Sequence, residues 1–311
     1  MAAKFTRNRQ QGQPLRAKAG ALSLAVALLA LFYGPDPAIT GEPRALRNTI
    51  VGLGNCPPWN PQSVEVCRHS VEKVMTALAA RIDAGPERQH LLVNEGASAT
   101  ALKLKATELA HQLGPDDRLI IYANLPVSLT ETANPDEASG YAIQLWASAK
   151  PESTVEAIAE GTWMSASAFA ALVHAIPAGE VILVIDTNNP HAIDLGLLTG
   201  HAVNHEDRPE ALVVSSGAGQ VANYSADRTI SLFAKHLALA LGESEGMLLD
   251  VMTAAVNGTR QAAIPICADL KEKRDPSKES PADCAQVPEI HDPEALLSGT
   301  MLTPLAGASL N

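Results

Sequence analysis

The run Glu180-Val-Ile-Leu-Val-Ile-Asp186 decides the fold. Five aliphatic residues in a row leave no polar face, and the run is too short for a buried helix. It reads as a central strand, covered on both sides in a parallel sheet and ending at Asp186. Arg118-Leu-Ile-Ile-Tyr122 has the same character. Working outward, residues 45–53, His90-Leu-Leu-Val93 and Ala211-Leu-Val-Val214 read as further strands, and Tyr141-Ala-Ile-Gln-Leu-Trp146 alternates as a more exposed strand should.

Helical spacing fills the gaps. Val64, Cys67, Val71, Val74, Leu78 and Ile82 recur at steps of three and four, with Ser63 as the expected N-cap. Leu102, Ala106, Leu109 and Leu113 mark a second helix, stopped by Gly114-Pro115. Phe169, Leu172, Val173 and Ile176 face a third; Ile230, Phe233, Leu237 and Leu241 face a fourth that ends near Gly242. A last helix is expected over 245–256, and the charged, Pro-rich 268–295 reads as loop. Alternating strands and helices of this kind predict a doubly wound α/β sheet with one core. No repeat is visible.

The 311 residues are 46% hydrophobic and 18% charged, which excludes a disordered chain. Formal net charge is −11. Five of the 23 basic residues (Lys4, Arg7, Arg9, Arg16, Lys18) precede residue 19, where no acid occurs, so the rest sets 18 basic against 34 acidic groups. That acidic body repels phosphate, and no nucleic-acid partner is expected.

Residues 19–33 are uncharged and close on Gly34-Pro35. The apolar run is short for a bilayer, but flanking Lys18, Arg16 and Tyr33 can reach the two interfaces. The site for signal cleavage is crowded by Phe32, Tyr33, Pro35 and Pro37, which favours an uncleaved signal anchor; a cleaved signal and a buried soluble helix are the alternatives. The positive-inside bias places the tail in the cytoplasm and the body across the membrane. Cysteine placement agrees with export. Cys56 lies near Cys67, and Cys267 near Cys284, so an oxidising compartment favours those two pairings; four free thiols are the alternative.

The order of these segments resembles the caspase/metacaspase fold over residues 45–260. Asn94-Glu-Gly-Ala-Ser-Ala-Thr-Ala-Leu102 and Gly114-Pro-Asp-Asp-Arg-Leu-Ile-Ile-Tyr122 resemble the run into that family's Y-S-G-H-G motif. Gly179-Glu-Val-Ile-Leu-Val-Ile-Asp186 resembles the run into D-x-C-H-S-G, and Leu212–Ala222 followed by Ser231-Leu-Phe233 resembles the A-S-A…Q-x-A…G-x-F stretch. The resemblance implies a three-layer fold with a mainly parallel central sheet. It also places Leu125 where the family has its histidine and Asn188 where it has the nucleophilic cysteine. An aliphatic group cannot move a proton and a carboxamide is a poor nucleophile, so the resemblance implies a catalytically dead member, not an enzyme. Asp186 matches the motif's acid, which implies a vestigial pocket for a basic side chain; a strand-end cap is the plainer role.

Other groups are weighed against bland roles. His201 and His205, four apart beside Glu206 and Asp207, would share a helix face but read as a solvated loop, and neither metal nor cofactor is expected. Ser215-Ser216-Gly217 lacks the pattern of a nucleophile elbow. Gly52-Leu-Gly54 lacks the third glycine of a dinucleotide loop. Asn223-Tyr-Ser and Asn257-Gly-Thr fit a glycosylation sequon.

The expected organisation is therefore a basic cytoplasmic tail (1–18), a transmembrane signal anchor (19–34), a linker (35–44), a caspase-like domain (45–262) and a partly irregular C-terminal extension (263–311). The expected function is non-catalytic binding, as scaffold or accessory subunit among membrane-complex proteins. The alternatives are a peptide- or ligand-sensing module in the vacated crevice, and a cysteine peptidase with displaced groups such as His174 or His191.

Overall fold

A computed structural model describes residues 46–56, 58–59, 61–129, 141–187, 208–217, 220–273 and 284–304. The chain from Ala45 onward forms one compact unit. Asn188, the tail, the expected anchor at 19–34, the linker, His191, His201 and His205 lie outside the described residues. No helix among the described residues is long and apolar enough to cross a membrane.

Six strands form the main sheet: β1 (Arg47–Gly54), β2 (Gln89–Val93), β3 (Asp117–Asn124), β7 (Glu180–Asp186), β8 (Glu210–Val214) and β9 (Glu289–His291), in the order β2-β1-β3-β7-β8-β9. All neighbours are parallel except β8 and β9. A separate antiparallel sheet joins β4 (Val127–Leu129), β5 (Tyr141–Ile143) and β6 (Met164–Ser165). The fold is thus mixed α/β with a mainly parallel central sheet flanked by helices.

Alternation along the strands sorts the core into two layers. Val51, Leu53, Leu119, Ile121, Val181 and Leu183 point to one face, covered by α2 (Ala99–Gln112) and α4 (Ala166–His174). Ile50, Ile120, Tyr122, Ile182 and Val184 point to the other, covered by α1 (Pro61–Arg81), α5 (Leu232–Glu243), α6 (Leu248–Glu272) and α7 (Leu296–Gly299). Strand β1 is pressed against α1 through glycine. A Cβ on Gly52 would lie 2.5 Å from Met75 Cγ, so this glycine serves close helix packing inside a strand.

Five expectations are corrected. Ser63 lies in the first turn of α1, not before it; Pro61 opens the helix, where its fixed φ and missing N–H cost nothing. The strand expected over 141–146 ends at Ile143 and belongs to the small sheet. The last helix runs to Glu272, not 256. Its buried stripe Val251, Met252, Ala255, Thr259, Ala263, Cys267 keeps helical spacing past Pro265, and that packing outweighs the proline. The expected boundary at 262/263 therefore falls inside α6. The expected C-terminal extension is also part of the main unit, since β9 pairs with β8 in the register Val214↔Glu289, Val213↔Ile290, Leu212↔His291. The remaining short helix, α3 (Thr154–Ala159), caps the small sheet near Trp163.

Both disulfides expected from cysteine proximity are present, Cys56–Cys67 and Cys267–Cys284, with Cα separations of 5.6 and 5.1 Å. They hint at an oxidising, extracytoplasmic location.

Candidate functional site

In open α/β sheets ligands and chemistry gather at the carboxyl ends of the strands. Here those ends are Asn55 after β1, Asn94 after β2, Asn124 closing β3, Asp186 closing β7, and Ser215 and Ser216 after β8. Strands β3 and β7 are neighbours, with Asn124 opposite Asp186. The backbone ties them further: Leu125 N–H donates to Asp186 O (3.2 Å) and Asn55 N–H to Asn124 O (3.0 Å).

Asp186 is the charged group where β3 and β7 meet at this edge. It continues the parity of Ile182 and Val184, so its carboxylate turns towards the α1/α5 layer, and it is 1% exposed. Its Oδ2 accepts from Tyr122 Oη (2.7 Å), Asn124 Nδ2 (2.9 Å) and Ser231 Oγ. Ser231 is also the N-cap of α5, accepting from Ala234 N–H at 3.0 Å. Its own N–H donates to Ser70 Oγ (2.9 Å), and Ser70 Oγ donates to Val66 O within α1 (2.6 Å). One oxygen thus binds β3, β7, α1 and α5 together. Burial raises the Asp186 pKa above the usual carboxylate value, while the hydroxyl and amide donors of Ser231, Tyr122, Ser215 and Asn124 pull it back down. Burial and the adjacent carboxylate raise the Tyr122 phenol far above its ordinary value, so it stays a donor.

Leu125 turns the other way. It is 2% exposed in the α2/α4 core, near Val127, Ile143, Phe169, Leu183, Ile185 and Leu212. The two positions singled out from the sequence, Asp186 and Leu125, therefore lie at neighbouring strand ends but on opposite faces of the sheet. Asp186 is enclosed in a tie between elements.

The remaining candidates also occupy structural places. Ser215 Oγ accepts from Thr187 N–H (3.1 Å), and Ser215 O accepts from Gln286 Nε2 (2.9 Å). Of the two sequon asparagines, Asn223 is buried and donates to Gln286 Oε1 (3.2 Å), whereas Asn257 is exposed on α6. His174 lies at the opposite, amino edge, 3.3 Å from Glu210 at the start of β8. All four cysteines are in disulfides, so this oxidised chain holds no thiol for His174 to activate. Among the described residues no cluster of three metal-ligating side chains occurs.

The structure adds residues that sequence reasoning missed. Asn55 Oδ1, Asn94 Oδ1 and Ser216 Oγ are buried at the carboxyl edge without a hydrogen-bond partner. Asn55 fixes its orientation by donating Nδ2 to Gln144 O (2.8 Å), and Asn94 adopts φ 50°. A polar residue directly after each aliphatic strand was the available signal.

No family model and no curated protein matches the chain. Among solved structures it is similar to protein GSU0716 from Geobacter sulfurreducens, with 11% identity over 79% of this chain and 92% of that one and a TM-score of 0.48. At that depth the likeness carries no argument, and the site is read from its own residues.

Proposed function

We propose that the chain is a membrane-anchored, caspase-like pseudoenzyme whose exported domain acts by binding, as a scaffold or accessory subunit of a membrane-associated assembly. One observation carries this reading. At the adjacent ends of β3 and β7, Leu125, in the place of the resembled imidazole, is buried in the core, and Asp186, which matches the motif's acid two residues before Asn188 in the place of the thiol, is locked to neutral donors. The disulfides, which occupy every cysteine, support both export and the lack of a nucleophile. Residues 1–34 supply the proposed anchor, with the N-terminus in the cytoplasm. Tethering raises the effective concentration near other membrane proteins, so a modest interface suffices. The test is mild detergent extraction of the full chain followed by size separation and mass spectrometry. Stoichiometric co-purifying membrane proteins are expected; a chain that migrates alone as a monomer contradicts the reading.

A ligand-sensing role at the carboxyl edge is the second reading. It is favoured by the unpartnered acceptors Asn55 Oδ1 and Asn94 Oδ1, which suit an ammonium or guanidinium donor. A thermal shift with basic peptides that Asn55→Ala abolishes would support it; no shift in the wild type removes it.

A further inference from the structure

The main sheet has two outer strands, and only one of them is blunted. At one side β9 is three residues long, and it carries Glu289 and His291, 3.3 Å apart. Short length and charge are the usual protection of an edge against further pairing. At the other side β2 has neither. It pairs with β1 along all five residues, Gln89 to Val93, and with no described strand beyond. Gln89 N–H is taken by Pro86 O; no described residue bonds the outer side of 90–93, so alternate residues there present unpaired N–H and C=O groups.

The side chains of β2 suit pairing as well. Burial and the Lys105 ammonium lower the pKa of His90, so no side chain of the strand is charged near neutral pH. Alternation sends Gln89, Leu91 and Val93 to the α1 side, and Leu91 at their centre is 46% exposed. Charge is confined to the flanks, where it has one sign. Glu87 before the strand and Glu95 after it are exposed and enter no ion pair among the described residues. The two cations that act on His90 are committed elsewhere, Arg88 to Asp117 and Lys105 to Glu108 (2.6 Å). An uncharged, open strand edge is thus bracketed by two free carboxylates.

We propose that the outer edge of β2 takes up an extended basic segment of a partner protein as an additional strand, with an apolar side chain beside Leu91 and cations at Glu87 and Glu95. In strand addition the backbone hydrogen bonds supply affinity, and the flanking side chains supply selection. Two other occupants fit less well. In a second copy paired antiparallel about Leu91, position 87 faces position 95, so Glu87 would stand opposite Glu95 at both ends. The linker at 35–44 contains Pro35, Pro37 and Pro43, none of which has an N–H to give. The inference adds a surface and a partner chemistry to the binding role, and it stands apart from the carboxyl edge and the anchor. A chain that migrates alone from detergent can still take up the segment, and one that co-purifies with membrane proteins can still refuse it.

The experiment uses the full chain in mild detergent and a fluorescent peptide, Lys-Thr-Val-Thr-Val-Thr-Lys, built for strand propensity, with a second peptide in which Glu replaces both Lys. Anisotropy is measured with the wild type, with Leu91→Lys and with Glu87→Lys/Glu95→Lys, all at exposed positions and each checked by a melting curve. The wild type should bind the Lys peptide about tenfold more tightly than the Glu peptide, the double variant should reverse that order, and about 0.5 M salt should erase both preferences. Leu91→Lys, which places a charge on the edge, should weaken both peptides about tenfold. Methylating the Lys peptide on its Val nitrogens, or instead on its Thr nitrogens, blocks one edge of the peptide at a time. With the wild type one methylated form should bind as the parent does, and the other should not bind. Absence of binding, equal binding of the Lys and Glu peptides, or the same result for both methylated forms overturns the proposal. So does a concentration-dependent dimer that Leu91→Lys dissolves, since the occupant would then be a second copy.

Discussion

The two ends of the main sheet are built from different chemistry. At the amino end, charges meet charges. Asp117 at the start of β3 has a fully buried side chain and is gripped by Arg47 (3.0 Å), by Arg88 and by Gly114 N–H (2.8 Å). Next to it, Arg118 pairs with Glu180 (2.6 Å), and Arg208 pairs with Glu210 at the start of β8. At the carboxyl ends of β3 and β7, amides and hydroxyls replace ions, and the carboxylate of Asp186 meets hydroxyl and amide donors. A carboxylate with cations beside it has its charge compensated in place. Asp186 has hydrogen bonds in place of compensation, so it fixes geometry at an electrostatic cost. Both ends keep buried acceptors without a partner, Asn48 Oδ1 and Thr49 Oγ1 early in β1 and Asn55 Oδ1 and Asn94 Oδ1 at the carboxyl ends, so the two ends differ in charge and not in completeness.

That contrast is open to direct attack. The largest effect is expected for Asp186→Ala, which strands three buried donors and should cost about 3–5 kcal/mol in denaturant unfolding. Removing either disulfide as a double serine variant should cost about 3 kcal/mol, by loop-closure entropy over separations of 11 and 17 residues. Both staples lie on the carboxyl side: Cys56 follows β1, and Cys284 leads to Gln286, which bonds Ser215 at the end of β8. Hydrogen exchange should therefore quicken at the carboxyl end and not the amino end when either is cut. Asp117→Ala should cost less than Asp186→Ala, about 2 kcal/mol, because Arg47 is 60% exposed and can turn to water. Equal costs for the two aspartates would erase the proposed distinction. Ser231→Ala, which loses a helix cap and one donor, should cost about 1–2 kcal/mol.

The finest test is pH. The folded pKa of Asp186 lies above its unfolded value, so the folded state takes up a proton more readily. Its ionised form lowers stability fully above the folded pKa, and that cost disappears as pH falls through it towards 3.8. The melting temperature of the wild type, measured against Asp186→Asn, should rise from neutral pH down to about pH 4. A wild type that instead loses ground against the variant would mean that a cation compensates Asp186 after all.

Much of this was legible in the sequence, for physical reasons. Aliphatic runs such as 180–185 have one sensible home, and the α1 stripe from Val64 to Ile82 follows its period closely. The disulfide pairs followed from proximity along the chain. Even the opposite orientations of Leu125 and Asp186 were implicit, because side chains alternate along β3 and β7. The hidden features depend on distant packing. Residues 289–291 carry no strand signal of their own and pair because β8 offers an edge. Pro265 reads as a stop until the covered face of α6 is seen. The tie from Asp186 to Ser231 spans 45 residues, and no local pattern announces it.

The central claim is that the disulfide-bonded body holds no working thiol–imidazole pair. Intact-mass analysis of the native, unreduced protein after treatment with iodoacetamide and an epoxide peptidase probe tests it most directly. No adduct is predicted before reduction, and four iodoacetamide adducts are predicted after reduction and unfolding, one per cysteine. A single rapid adduct on the native chain, abolished by changing one histidine, would contradict it.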